Sequence, residues 1–168
     1  MTVEQWRPLA ESTEGHWGPL LLVLAVTIVI VTICFFMHLA VMERLARAVY
    51  RRDTPLAHPV RLVLFTLFAV HLVQVLLYAI TLSILDAAGI GTLAGDVDTG
   101  PGWFADHFYF SIASYTTLGI GDILPQGAIR ILVGVEALNG LLLVAWSASF
   151  TYLVMEHHWT TTGEKRDR

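Results

Sequence analysis

Residues 116–122 of this sequence read Thr-Thr-Leu-Gly-Ile-Gly-Asp, with Pro125 close behind. Glycine alternates here with an aliphatic residue, as Leu118-Gly119 and Ile120-Gly121. In ordinary extended backbone, successive carbonyls point in opposite directions. Turning them all to one side needs alternating right- and left-handed conformations. Glycine takes left-handed values freely, whereas other residues incur about 1–2 kcal/mol. The spacing therefore permits a column of carbonyl oxygens from Thr117, Leu118, Gly119 and Ile120, to which the Thr117 hydroxyl adds one more layer. Several such strands around an axis would replace the hydration shell of a monovalent cation.

The elements that must carry this segment are written in the charge distribution. The 168 residues are 55% hydrophobic and 14% charged, against about 25% charged in an ordinary soluble domain. No Lys or Arg falls between Arg7 and Arg44, or between Arg61 and Arg130. This excludes a soluble enzyme of normal surface chemistry. It also excludes nucleic-acid binding, which needs a basic face to neutralise phosphates. The single cysteine, Cys34, lies in an apolar run, so there is neither a disulfide framework nor a thiolate metal site.

Three stretches are long and apolar enough to cross a bilayer: residues 19–42, 62–85 and 131–155, the last carrying one acid, Glu136. The first is flanked by Glu4, Glu11 and Glu14 rather than by basic residues, and reads as a retained helix. Arg44, Arg47, Arg51, Arg52 and Arg61 follow it, and Lys165, Arg166 and Arg168 follow the third stretch. Basic flanks mark the cytoplasmic side. The N-terminus and residues 86–129 then face outside, the latter with Asp86, Asp96, Asp98, Asp106 and Asp122 and no Lys or Arg. Residues 43–52 (ERLARAVYRR) should extend the first helix into the headgroups.

Within the outer segment, residues 86–102 are rich in Gly and small polar residues and read as an exposed connector. Residues 103–115 (WFADHFYFSIASY) are too short to cross, but suit a helix that enters the membrane and turns back. Irregular backbone at that depth is tolerated only when buried in protein or lining water. No arginine-rich crossing helix is present, so a voltage sensor of the usual kind is not expected, and the twelve-residue tail is expected to hold no ligand-binding domain.

TTLGIGD resembles the selectivity filter of the potassium channel family, usually TTVGYGD. The resemblance covers residues 60–156 and implies an all-α integral membrane fold, with three transmembrane helices per chain, a re-entrant pore helix and a filter loop, assembled as a homotetramer around one pore. Residues 62–85 would be the outer helix, 103–115 the pore helix, 116–121 the filter and 131–155 the inner helix. Residues 1–18 would form an extracellular segment, 19–59 an additional transmembrane helix with a basic cytoplasmic loop, and 157–168 a short cytoplasmic tail. The implied function is passive, potassium-selective conduction, with K+ held by Thr117, Leu118, Gly119 and Ile120, and Gly121 closing the filter. No catalysis, no cofactor beyond the permeant ion, no nucleic acid and no small-molecule substrate would be involved. The chain would sit in the cell membrane as a multi-pass protein, in the inner membrane if bacterial, with its N-terminus outside.

Two departures from the family pattern bear on the filter. Ile120 replaces a tyrosine whose hydroxyl braces the filter in the family, and Phe110, at the matching pore-helix position, also lacks a polar handle. Ala113 stands where some members carry a glutamate. By position, Asp122 could bond Tyr109 instead of the family's tryptophan. Thr116 and Glu136 complete the expected support, Glu136 as an intramembrane functional group or as a partner of Ser111 or Ser114. Gly140 falls at the family's inner-helix hinge, with close helix packing as the alternative.

Other polar residues have two readings each. His71 and Gln74 share one helix face, where His38 could pair with His71, either as polar glue between helices or as a proton sensor. His157 and His158 are solvated end residues or a pH-sensitive inner gate. Asp106 and Asp122 are placed to concentrate cations at a pore mouth. The rival functions are a weakly selective monovalent cation channel, a non-conducting accessory subunit, and an intramembrane protease using Asp122 as one of two carboxylates sharing a proton. The protease needs a second aspartate inside a crossing helix, whereas Asp86 lies at a helix end.

Overall fold

The computed structural model describes residues 17–50, 58–97, 100 and 102–166, the last six by backbone alone. The expected outer segment lies outside these residues up to position 16, as do Arg51, Arg52, Asp98 and Arg168. In chain order the elements are α1 (Trp17–Tyr50), α2 (Pro59–Ala87), β1 (Gly91–Gly95), α3 (Trp103–Tyr115), β2 (Ile123–Gly127) and α4 (Ile129–Arg166). Helices α1, α2 and α4 are each long and apolar enough to cross a membrane. Apart from one two-stranded sheet, the elements among the described residues are helical, as an apolar chain that must satisfy its own backbone requires.

α1 buries Val23, Thr27, Ile30, Cys34, His38, Met42 and Leu45, a three-and-four spacing that makes a single stripe along the helix. Its opposite face exposes Leu21, Leu22, Ile28, Val29 and Phe36, apolar residues suited to lipid. The stripe packs on α2 and α4. Val23, Ile30 and Cys34 share a core with Tyr78, Leu82, Phe110 and Tyr115. Met42 and Leu45 share a second one with Val63, Leu67 and Val154. The short helix α3 is held between α2 and α4.

All three crossing helices outrun their apolar stretches. α1 continues to Tyr50 and so takes in residues 43–50, the described part of the ERLARAVYRR segment. α4 continues to Arg166, so residues expected to form a tail prolong the inner helix. The Tyr50 ring lies 4.7 Å from that of His157, which ties the two extensions together. The connector also differs from a plain exposed loop. β1 pairs antiparallel with β2, with Leu93 opposite Pro125 and Gly95 opposite Ile123. Leu93 and Ile123 are both buried, which gives the pairing an apolar side.

Candidate ion-conduction site

α3 ends at Tyr115, and the chain that follows folds back on the last turn of the helix. Thr116 N–H and its hydroxyl both donate to the Ile112 carbonyl, and Thr117 N–H donates to Ser114. Leu118 and Gly119 N–H both donate to the Ala113 carbonyl, at 2.8 and 3.3 Å. Helix-end carbonyls that would otherwise lack partners thus anchor the start of the segment. Ala113 acts here through its backbone.

The dihedral angles of this segment alternate in hand. φ is +56° at Thr117, +55° at Gly119 and +88° at Gly121, with no positive value at Leu118 or Ile120. Among the described residues, Thr117 is the one non-glycine with positive φ. A β-branched side chain is poorly suited to that region, and strain of this kind gathers at functional sites. A Cβ added at Gly119 or Gly121 would meet open space, so glycine is required there by conformation and not by crowding. Every residue from Thr116 to Asp122 is exposed in the single chain, with Leu118 63% and Ile120 54% exposed.

Asp122 closes the segment. Its Oδ2 accepts a 2.7 Å bond from the Tyr109 hydroxyl, and its Oδ1 accepts from Ile123 N–H at 2.9 Å. Its carbonyl accepts from Asp96 N–H at 3.3 Å, at the end of the β1–β2 pairing. The far end of the segment is therefore held by α3 through a side chain and by the connector through the backbone. Phe110 is buried in the shared core. Ile120 has no hydroxyl to offer and leaves half of its surface free for a neighbour.

Behind α3, the Ser111 hydroxyl lies 2.5 Å from Glu136 Oε1 and 3.0 Å from the Val75 carbonyl. Of the two serines expected as partners, Ser111 is the one that meets Glu136. Glu136 is fully buried, and its Oε2 has no hydrogen-bond partner among the described residues. Gly140 faces the end of α3 so closely that an added Cβ would collide with the Tyr115 carbonyl. The helix runs without interruption through this point.

The structure thus brings Asp122 onto Tyr109 in the middle of α3 and residues 116–119 onto its last turn, with Glu136 and Gly140 on its buried side. Sequence reasoning missed His107. Its ring is fully buried, 2.8 Å from the Trp103 carbonyl through Nδ1 and 3.0 Å from Asp86 Oδ2 through Nε2. The ring thus bridges a backbone carbonyl and a carboxyl side chain. It joins the first turn of α3 to the end of α2. A histidine and an aspartate twenty-one positions apart on separate elements leave no local spacing by which to find them.

Residues 62–156 match a family model described as "Ion channel". Over 79 residues the chain is 38% identical to the inward rectifier potassium channel Kirbac3.1 of Paramagnetospirillum magnetotacticum. That stretch is 45% of this chain and 26% of the relative, so the chain spans about a quarter of that protein's length. No solved structure matches the chain.

Proposed function

The chain belongs to the ion channel family, whose model covers residues 62–156, and from that premise we propose that it conducts potassium passively through a homotetrameric pore. It is a channel and not an enzyme, which removes the protease reading of Asp122. The observation that carries the potassium reading is the alternation of hand at Thr117, Gly119 and Gly121 directly after the end of α3. That is the backbone pattern by which successive carbonyls face one way. The ion sites would be the carbonyls of Thr117, Leu118, Gly119 and Ile120 with the Thr117 hydroxyl, and the likeness to a named potassium channel supports K+ as the ion. No cofactor beyond that ion is invoked.

The exposure of residues 116–122 supports a tetramer. Irregular backbone within a membrane has to be covered by protein or line water, and one strand encircles nothing. Four copies around an axis would give Leu118 and Ile120 neighbours and bring four carbonyl columns together. Arg44 and Arg47 near the end of α1 and Arg61 near the start of α2 support a cytoplasmic side there, which would set the filter toward the outside of the cell membrane.

Ile120 favours one rival, a pore that passes sodium as well, because this side chain supplies no hydroxyl to brace the filter. Flux from liposomes holding the purified protein separates the two readings, under a potassium gradient and then an equal sodium gradient. Potassium flux alone is expected. Equal flux of both ions would replace selectivity with a general cation pore, and silence across pH and voltage would remove conduction.

A further inference from the structure

Where α1, α2, α3 and α4 meet, five polar side chains close into a ring. The Tyr115 hydroxyl donates to Gln74 Oε1 at 2.5 Å. Gln74 Nε2 lies 3.4 Å from His38 Nδ1, and His38 Nε2 lies 3.1 Å from Ser147 Oγ. Ser147 Oγ lies 3.0 Å from His71 Nε2, and His71 Nδ1 returns to the Tyr115 hydroxyl at 2.9 Å. His38, Gln74 and Tyr115 are 1% exposed or less, and Ser147 is 8% exposed.

With both imidazoles neutral, counting protons fixes the direction of every bond. Gln74 Nε2 also donates to the Cys34 carbonyl at 3.1 Å. Turning the amide over would set Oε1 against that carbonyl, so the orientation of Gln74 is determined. Gln74 Oε1 then takes the single Tyr115 proton. The Tyr115 oxygen can be reached by His71 only as a donor, which puts the His71 proton on Nδ1. His71 Nε2 is bare and accepts the Ser147 proton. Ser147 then accepts from His38, which carries its proton on Nε2 and presents a bare Nδ1 to Gln74. Each proton is used once, and the two neutral imidazoles are opposite tautomers.

We propose that this is a proton-ordered ring through which α1 positions Tyr115, and with it the start of residues 116–121. His38, His71, Gln74 and Ser147 are positioning residues, a role that rests on the filter reading above. Tyr115 is the last residue of α3, and the next amides cap the same helix end. A shift of its ring therefore moves the backbone that leads to Thr117. In a low-dielectric interior a fully satisfied network is rigid, and losing one member strands donors and acceptors on every helix it joins. α1, which lies outside the family match, thereby gains a hold on the segment that would bind the ion.

The test is solid-state NMR of the full chain in lipid bilayers with 15N-labelled histidine, His38 and His71 being assigned by single substitution. Neutral His71 with its proton on Nδ1 and neutral His38 with its proton on Nε2 are expected. The reverse pair, or Nε2–H on both, overturns the ring, and this readout needs no flux. His38→Phe should release the His71 tautomer and lower potassium flux about tenfold, the scale of one lost buried hydrogen bond. His38→Gln, which keeps a donor toward Ser147, should restore most of it. A His38→Phe channel with wild-type flux and an unchanged His71 signal overturns the positioning role. Wild-type protein that carries no potassium overturns the filter reading instead and leaves the tautomers to decide the ring.

Discussion

The Tyr109 hydroxyl is 2.7 Å from Asp122 Oδ2, which joins the middle of α3 to the residue that ends the TTLGIGD segment. Tyr109→Phe removes only the donor. The outer end of the segment then keeps its backbone ties to Asp96 and loses its side-chain tie to α3. Conductance is expected to decline faster during sustained opening, with little change in the initial potassium current. Current decay in planar bilayers checks this, and an unchanged decay removes the clamp. The bond to the Asp122 carboxylate pushes the Tyr109 phenol above its ordinary range. A raised value means that the clamp is present at neutral pH and is lost only as pH climbs through that higher range.

Gly119 has φ of +55° and open space where a Cβ would lie. Gly119→Ala therefore meets no clash in its own chain and incurs about 1–2 kcal/mol of backbone strain per subunit. The segment can relieve that strain by turning the 118–119 peptide, which would point a carbonyl out of the column. Potassium flux should be abolished while the protein still folds and assembles. Normal flux from the alanine variant would sink the assignment of residues 116–121 as the ion path.

How much of this was legible in the sequence depends on the range over which each feature acts. The crossing helices and the bounds of α3 follow from local apolar runs, and the sequence predicts residues 103–115 where the structure has Trp103–Tyr115. The left-handed turns at Gly119 and Gly121 are local too, since glycine announces them. Thr117 is different. Its positive φ is imposed by bonds to the end of α3, and threonine gives no sign of it. The β1–β2 pairing, the His107–Asp86 pair and the Ser147 link are contacts between distant parts of the chain. Their residues look ordinary until the helices are packed. The extension of α4 beyond residue 155 was hidden for the opposite reason, because hydropathy marks where lipid ends and not where a helix does.

His107 bonds both Trp103 and Asp86 from a fully buried position. Removing the ring leaves the Asp86 side chain, 18% exposed, without its His107 partner. His107→Phe keeps the volume and loses both bonds. It should lower the thermal unfolding temperature in detergent and loosen the entry of α3, at a cost of about 1–3 kcal/mol for the lost hydrogen bonds. The partial exposure of Asp86 argues for the lower end or below it. A double variant that adds Asp86→Leu should recover part of the loss, because no polar side chain is then left without its partner. If the double variant is less stable than His107→Phe alone, the pair is not what holds α3.

Ser111 has one proton and two acceptors, Glu136 Oε1 and the Val75 carbonyl. A Glu136 that keeps its own proton resolves the count: it donates to Ser111, and Ser111 donates to Val75. An ionised Glu136 would instead leave a fully buried charge with Oε2 unpartnered. Glu136→Gln should then be nearly silent in stability and flux, because the amide also donates. Glu136→Ala should cost about 1–3 kcal/mol through the unpaired Ser111 and Val75 groups. An infrared carbonyl band of a protonated acid, present in wild type and absent from Glu136→Gln, checks the proton directly. A severe defect in Glu136→Gln would mean that the charge is needed.

Gly140 separates a packing role from a hinge role by the size of what replaces it. A Cβ there would run into the Tyr115 carbonyl, at the point where α4 supports the end of α3. If close approach is the reason for glycine, Gly140→Ala should push α4 off α3 and cost about 1–3 kcal/mol, the range for overpacking a tight contact. Stability and potassium selectivity would fall together, since the displaced group is the one that carries residues 116–121. If bending is the reason, Gly140→Ala should leave stability intact and shift only the fraction of time open. Thermal unfolding and single-channel open probability on the same variant tell these apart. The geometry at Tyr115 predicts the first result.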